Sequence, residues 1–503
     1  MTVSLRQPGL VSLKSLLPAA VFVGCQDIAV SSAAEDSRQV TPGCLYAALP
    51  GTRTHGREFV HEALQCEAAA ILSDCSLAGL SVPYCIVPDA RRAYGELCHA
   101  LHFNPSSQLG VVGVTGTNGK STTTWLVRAL LERSARTCGL LGTIEYSDGM
   151  VAEPATLTTP DAATLSLWLG NMVARGTQYA ALELSSHALE QQRTAGLQLD
   201  VAIVTNVTQD HFDYHGDFDS YVAAKARIAE RLKPGGVLFL NADDPGSMAV
   251  LEHLPKRIRV QTFGVDHPAD IQATVLEESL SGTRLRVCAG IESVELRTPL
   301  FGRHNVENVL AAIVTAQQFG LTLAEIAEEL PHCFGAPGRL QRIGGTSEPA
   351  LFVDYAHTPD ALQRIIGTLR HLTFGRVITV FGAGGDRDET KRPLMGRAAS
   401  QGDVCIVTSD NPRTESPEAI ARAIVAGVTL DRSHLYVELD RRRAIELALE
   451  LAESGDAVLV AGKGHEREQI VGRQKFPFDE ISVCGQLLAR RNSLVNSMQY
   501  EQE

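Results

Sequence analysis

Apolar residues in this chain come in short continuous runs separated by longer stretches with helical spacing. That alternation is expected of mostly parallel sheets covered on both faces by helices. Three blocks carry it. In 1–108 the runs CLYAAL, AAAILSD and PYCIVPD alternate with helix-like stretches such as 56–66, and the block ends on Asn104-Pro105-Ser106-Ser107, a turn and linker signal. In 109–336 strands are predicted at 109–114, 179–184, 201–207 and 236–241, with amphipathic helices such as 122–134 and 221–232 between them. The third block, 337–503, follows the Gly/Pro-rich segment Gly335-Ala336-Pro337-Gly338. Its strands at 351–355, 377–381, 404–408 and 457–460 run into the polar loops DYAHTPD, GAGGDRD, SDNPRTESP and GKGHE. Ligands of open parallel sheets bind beyond the carboxyl ends of the strands, so these four loops are expected to line one crevice.

The first strand of the middle block leads into Val-Thr-Gly-Thr-Asn-Gly-Lys-Ser, 114–121, and then a helix. The segment Gly116, Thr117, Asn118 and Gly119 can turn backbone N–H groups inward around phosphate oxygens, and the helix N-terminus adds its positive end. Lys120 brings a charge for the β- and γ-phosphates and Ser121 a hydroxyl for Mg2+, with Thr122 next in the same turn. The general pattern asks for glycine at 114, where this chain has Val114. Strand, loop, Lys-Ser and helix still occur in order, which separates a nucleoside triphosphate site from a tight turn capping a helix. The loop alone leaves open whether the γ-phosphate passes to water, to a protein or to a small acid.

Composition narrows the class. The 503 residues suffice for several cores without disulfide or metal, and 44% hydrophobic with 20% charged residues excludes a disordered or collagen-like chain. With 45 basic and 58 acidic residues the net charge is −13, which argues against nucleic acid or an anionic membrane surface as partner. Anionic small substrates need only a locally positive pocket. Eleven cysteines, an odd number without Cys-x-x-Cys spacing, read as reduced thiols. No apolar run approaches the roughly 18 residues that span a bilayer. The stretch 16–25, LLPAAVFVGC, ends in something like a lipoprotein cleavage box, but Lys14 and Pro18 interrupt the hydrophobic region that a signal peptide needs, and Phe22 replaces the usual smaller aliphatic. A cytoplasmic setting is expected.

The loop Thr-Gly-Thr-Asn-Gly-Lys-Ser resembles that of the Mur ligase family and its folylpolyglutamate synthase relatives. Further segments resemble Mur ligases: ELSSHALEQQR (183–193), TNVTQDHFDYHG (205–216), SYVAAK (220–225), FGRHNVENVLAA (301–312), VDYAHTPDAL (353–362), GAGGDRDETKRPLMG (382–396), SDNPRTESP (409–417) and VAGKGHE (460–466). The likeness runs through all three blocks in order. It implies an α/β fold of three domains: a central P-loop parallel-sheet ATPase domain, 109–336, flanked by an N-terminal α/β nucleotide-sugar domain, 1–108, and a C-terminal Rossmann-like α/β domain for the amino acid, 337–503. The implied activity is ATP-dependent amide ligation in peptidoglycan synthesis. Meso-diaminopimelate would be added to the D-glutamyl γ-carboxylate of UDP-N-acetylmuramoyl-L-Ala-D-Glu through an acyl phosphate, with Mg2+ as cofactor, ATP as co-substrate and a monomeric enzyme. The alternatives are a lysine-adding homologue, a folylpolyglutamate synthase-like ligase and an ATP-switched module that makes no bond. The Asp-Asn-Pro-Arg loop and the long first block speak against the folylpolyglutamate reading.

The resemblance also assigns residues. Ser121, Glu183 and His211 would hold Mg2+, and Lys225 would carry CO2 as a carbamate, N6-carboxylysine, that helps hold a second ion. Lys120, His211 and Lys225 are the implied catalytic residues. Only a neutral amine attacks CO2, so burial has to lower the lysine's pKa. The amphipathic pattern of 221–232, taken alone, puts Lys225 on a solvated face. Asn305, Asn308, Arg339 and Asp354 match positions near the adenine, ribose or phosphates of ATP. Ser37, between Asp36 and Arg38, and the run Thr52, Arg53, Thr54 resemble segments that hold the uridine diphosphate. Thr158, Thr159, Ser185, Gln191 and Arg193 resemble those that position the muramoyl dipeptide, with Leu157 where some relatives have Asn. Arg387, Asp410, Asn411, Pro412, Arg413, Gly462 and Glu466 would take diaminopimelate. A forked guanidinium suits a carboxylate and acidic groups suit an ammonium, as a zwitterion requires.

Overall fold

The computed structural model describes residues 8–51, 54–210, 212–346 and 348–500. The chain forms two compact units, one of Met1–Val275, Leu285–Arg297 and Arg303–Cys333, the other of Leu276–Arg284, Thr298–Gly302 and Phe334–Glu503. Both are α/β. Among the described residues no helix is long and apolar enough to cross a membrane.

Among its described residues the first unit holds two large sheets, beside the two-stranded pair Val11–Ser12 and Ala29–Val30. The smaller runs in the order Val21–Val23, Tyr84–Ile86, Ala70–Ser73, Leu45–Ala48, Ala33–Ala34, antiparallel at the first pair and parallel thereafter. Its strands read as unbroken apolar runs because both faces are covered. Leu45, Ala47, Ala70 and Leu72 pack with the helix Ala90–Leu101, while Tyr46, Ala48 and Ile71 face a second core with Val60 and Ala63.

The larger sheet places the phosphate-loop strand Gly110–Thr115 between Tyr179–Glu183 and Leu199–Val204, all parallel. Val114 is opposite Glu183 on one side and Ile203 on the other, and is fully buried. This explains the departure from the general loop pattern, because position 114 still belongs to the strand. Cys138–Leu141 extends the sheet on one side, and Leu232–Asn241 with Arg259–Gly264 on the other. The predicted strands agree within a few residues. The helix predicted at 221–232 is instead Phe218–Ala226, capped by Asp217, and passes into a 3-10 turn at Arg227–Arg231. The strands Ile271–Ser279, Gly282–Ala289 and Glu292–Thr298, which end the sheet order, were not anticipated from the apolar runs.

The second unit is built on Ala350–Asp354, Ala457–Ala461, Val377–Phe381, Val404–Val407 and Leu435–Val437, neighbours in that order and parallel, with Gln341–Ile343 antiparallel at one edge. Alternate residues again serve two cores. Phe352, Cys405 and Leu459 lie in one, Leu351, Ile406 and Val458 in the other. The adjacent parallel strands bring the four polar loops to the same edge.

Candidate functional site

The phosphate loop is shaped by its own backbone and by neighbours on the flanking strands. Gly119, at φ 85°, caps the helix Lys120–Arg133, and a Cβ there would overlap Asn308 Oδ1 on the helix Arg303–Gln318. Only glycine meets both conditions. Lys120 Nζ donates to the carbonyls of Gly116 (2.8 Å) and Thr117 (3.0 Å). Thr205 Oγ1 donates to Asn118 O (2.6 Å), and the Asn118 N–H to Asn206 Oδ1 (2.8 Å). Ser121 and Thr122 lie buried in the first helical turn. Thr123 Oγ1 donates to Asn308 Oδ1 (3.4 Å), whose Nδ2 donates to Asn305 Oδ1 (3.4 Å), so both asparagines back the loop. An ammonium on inward-turned carbonyls, a hydroxyl at the helix start and a cradle without room for a Cβ fit a triphosphate with Mg2+.

Glu183 ends the neighbouring strand and is buried. Its Oε1 accepts the Thr143 N–H and its Oε2 the Thr143 hydroxyl, both at 2.9 Å. Thr143 Oγ1 lies 3.1 Å from Thr158 Oγ1, while Thr159 Oγ1 donates to Glu183 O (2.8 Å) and accepts the Ser185 N–H (2.9 Å). The carboxylate is thus oriented by Thr143, and Thr158 and Thr159, expected at the muramoyl dipeptide, adjoin it through the Thr143 hydroxyl and the Glu183 backbone carbonyl.

Lys225 corrects the solvated-face reading. It is 1% exposed, with Nζ 4.4 Å from the Tyr221 ring centroid. Burial drives its pKa well below the ordinary lysine value, the charge of Lys120 adds to that, and Asp210 opposes it. Tyr221 Oη in turn lies 3.2 Å from Thr117 Oγ1, which ties this helix to the phosphate loop. His211, Thr52 and Arg53 lie outside the described residues.

A cavity of about 860 Å³ in the same unit is lined by Ser37, Thr54, Arg91, Leu157, Gln191 and Arg193, among others. It gathers residues from the first block and from the muramoyl set. Gln191 Oε1 accepts from Arg193 Nη2 (2.7 Å) and Nε (3.1 Å), and its Nε2 donates to Tyr214 Oη (3.0 Å). Ser37 Oγ donates to Glu62 Oε2 (2.9 Å). Thr158, Thr159 and Ser185 group with Glu183 and do not themselves line this cavity, but Arg193 Nη1 of its wall donates to Thr159 O (3.5 Å).

In the second unit the loop 410–413 is held by the chain that follows Gly462. Asn411 Oδ1 accepts from Ile470 N (2.9 Å) and Lys463 Nζ (3.0 Å), and Asn411 Nδ2 donates to Glu466 Oε2 (2.9 Å). Gly462 has φ 119°, and a Cβ on it would lie 2.6 Å from Asp410 Oδ2. Arg413, after Pro412, takes the left-handed conformation (φ 51°), which its backbone bonds to Ile470 O (3.1 Å) and from Gly472 N (2.7 Å) enforce. Its Nη1 donates to Gly385 O (2.6 Å), and Arg387 flanks the same glycine loop. Asp354 faces inward, accepting the N–H groups of Leu340 and Ala356 at 2.6 Å each. Burial raises its pKa to about 6, with Arg339 opposing. The Arg339 guanidinium stacks 4.6 Å above the Tyr355 ring.

Residues 114–316 match the family model described as the Mur ligase middle domain, and 338–464 that of the Mur ligase, glutamate ligase domain. The UDP-N-acetylmuramoyl-L-alanyl-D-glutamate–2,6-diaminopimelate ligase of Gloeobacter violaceus is 42% identical over 471 residues, 93% of this chain and 95% of that protein. The chain belongs to the Mur ligase family. A ligase of the same name from Thermosynechococcus vestitus is 42% identical over 469 residues, covering 92% of this chain and 94% of its own. A solved structure of a ligase so named is 33% identical with a TM-score of 0.72, covering 96% of this chain and 100% of that one.

This Mur ligase contains functional candidates that sequence reasoning passed over. Lys463 sits inside the VAGKGHE segment that resembles Mur ligases, but its neighbours Gly462 and Glu466 drew the assignment. Arg441 and Glu480, fully buried and paired at 2.5 Å, brace the roots of the loops after Val404–Val407 and Ala457–Ala461, since Arg441 also donates to Ser409 O (3.3 Å) and Ala461 O (2.8 Å). Their separation along the chain hid them.

Proposed function

We propose that this Mur ligase joins meso-diaminopimelate to the D-glutamyl γ-carboxylate of UDP-N-acetylmuramoyl-L-Ala-D-Glu, in the cytoplasm and as a monomer. The domain limits 1–108, 109–336 and 337–503 belong to the same proposal. The observation that carries it is the cluster of Asp410, Asn411, Arg413 and Glu466, which sets a guanidinium and carboxylates in one loop system, as a zwitterionic amino acid demands.

The carboxylate oxygen of the nucleotide dipeptide attacks the γ-phosphorus of ATP and ADP leaves. The amine then adds to the acyl carbon of the acyl phosphate, phosphate departs, and the amine loses a proton to give the amide. Lys120 carries a positive charge that accompanies the transferred phosphoryl group. Ser121, Glu183, His211 and carbamylated Lys225 would hold Mg2+, which supplies charge neutralisation between the two anions. The buried amine of Lys225, with its lowered pKa, offers the neutral nucleophile that CO2 requires. Ser37, Thr54, Gln191 and Arg193 give the cavity wall hydroxyls, an amide and a guanidinium suited to the nucleotide sugar.

The deciding experiment is the product mass from the nucleotide dipeptide, ATP and either diaminopimelate or lysine. The expected product is the diaminopimelate tripeptide, formed with stoichiometric phosphate that appears only when both acceptors are present. Product from lysine alone would make it the lysine-adding homologue, and acceptor-independent phosphate release would make it an ATP switch.

A further inference from the structure

In the second unit a fully buried lysine follows the strand Ala457–Ala461. Lys463 is 0% exposed, and its ammonium lies 3.0 Å from Asn411 Oδ1, 3.0 Å from Glu466 Oε2 and 4.0 Å from Asp410 Oδ1. All three neighbours belong to the loops proposed for the amino acid. We infer that Lys463 is a positioning residue for the incoming amino acid, locking Asn411 and Glu466 in register and offsetting one of the two carboxylates that face it. The inference rests on the functional reading above.

A buried ammonium is held charged only where acceptors surround it. Here the acceptors are the side chains whose orientation matters. Asn411 Oδ1 receives two N–H groups, from Lys463 and Ile470, so its amide has one possible sense, with Nδ2 turned to Glu466. Glu466 Oε2 receives both the Lys463 ammonium and the Asn411 amide, while the Glu466 side chain remains one-third exposed at 33%. Asp410 is also in the field of Arg441 and Lys391, whereas Glu466 Oε2 takes its ion pair from Lys463 at 3.0 Å, so the loss of Lys463 falls on Glu466 first. A neutral residue at 463 leaves two carboxylates side by side and frees the Asn411 amide to turn over. Either change acts first on Asn411 and Glu466, the side chains to which Lys463 donates.

The test uses full-length protein and all three substrates. Wild-type turnover with diaminopimelate is measured first, so failure of the functional reading shows there, apart from any failure of Lys463. Lys463→Met and Lys463→Gln are then compared for thermal unfolding and steady-state constants. Losing one partner of a buried charged pair should raise the KM for diaminopimelate at least about 30-fold. The KM values for ATP and for the nucleotide dipeptide should stay within about 3-fold, a split that general loosening of the fold does not produce. One folded variant with this split is sufficient support. An unchanged diaminopimelate KM in every variant that folds overturns the inference. So does a parallel rise of all three constants, or failure of both variants to fold, because a purely structural lysine behaves that way.

Discussion

A lysine side chain at the phosphate end of the first unit shows how local context changes its chemistry. The helix Phe218–Ala226 is exposed in its first turn but buries Tyr221, Val222, Ala224, Lys225 and Ala226 together, so its second half offers no solvated face to an ammonium. The amphipathic pattern misled because it was measured through 232, across the 3-10 turn where the helix has already ended. Desolvation therefore favours the neutral amine of Lys225, and Lys120 adds to the effect. Lys225→Ala should lose nearly all ligation while ATP still binds, and acetate or formate should restore part of it by placing a carboxylate where the carbamate would stand. Tripeptide formation with and without added acetate checks this, and full activity of the variant in CO2-depleted buffer would refute the carbamate. Lys120→Ala should remove turnover without restoration by either acid, since it deletes a charge that meets the transferred phosphoryl group.

Elements buried on both faces were legible almost to the residue. The strand Val377–Phe381 was predicted within its observed limits, and Val404–Val407 and Ala457–Ala461 within one residue, because continuous apolar runs leave little choice of boundary. The hairpin Glu468–Val471 with Gln474–Pro477 was not legible, since its residues are mostly exposed and no apolar run marks it. Yet it shapes the loop proposed to take the amino acid. Gln469 Nε2 donates to Asp410 O (2.7 Å), Ile470 N to Asn411 Oδ1, and Arg413 pairs its backbone with 470 and 472. The motif therefore supplied the residues, while their conformation comes from a segment more than fifty positions later in the chain. Diaminopimelate exceeds lysine by one carboxylate at the far end, which a guanidinium held this way can fork. Arg413→Ala should raise the KM for diaminopimelate about 100-fold or more with a smaller change for ATP, as sites built for a polar group depend on it strongly. It should not create lysine activity, because removing one charge gives the lysine ammonium no partner. Unchanged diaminopimelate kinetics would place Arg413 outside the binding site.

At the scale of the whole molecule, acid sensitivity follows from a residue that no motif pointed to. His99 lies on the helix Ala90–Leu101 with 0% exposure, against Gly196, and neither ring nitrogen has a hydrogen-bond partner. Burial lowers its pKa from 6.5 to about 3, with His102 and Arg231 contributing in the same direction. Between those values the unfolded chain binds the proton and the folded chain does not, so stability is lost as pH falls below about 6.5. Asp354 works in the opposite sense. Its folded pKa is raised to about 6 from 3.8, so across that window the folded state holds the extra proton and stability is lost as pH rises. The two effects separate in a double comparison, because Asp354 is common to wild type and to a variant at 99. His99→Leu keeps an apolar group of similar size in the site and removes the titration. The wild-type difference in unfolding free energy between pH 7 and pH 5 should exceed that of His99→Leu by about 2 kcal/mol, one pKa unit being worth about 1.4 kcal/mol. Urea unfolding at both pH values, followed by a signal from the first unit, measures that difference. Equal differences in the two proteins would mean that His99 is protonated in the fold or hydrated, and would shift the acid limb to other groups.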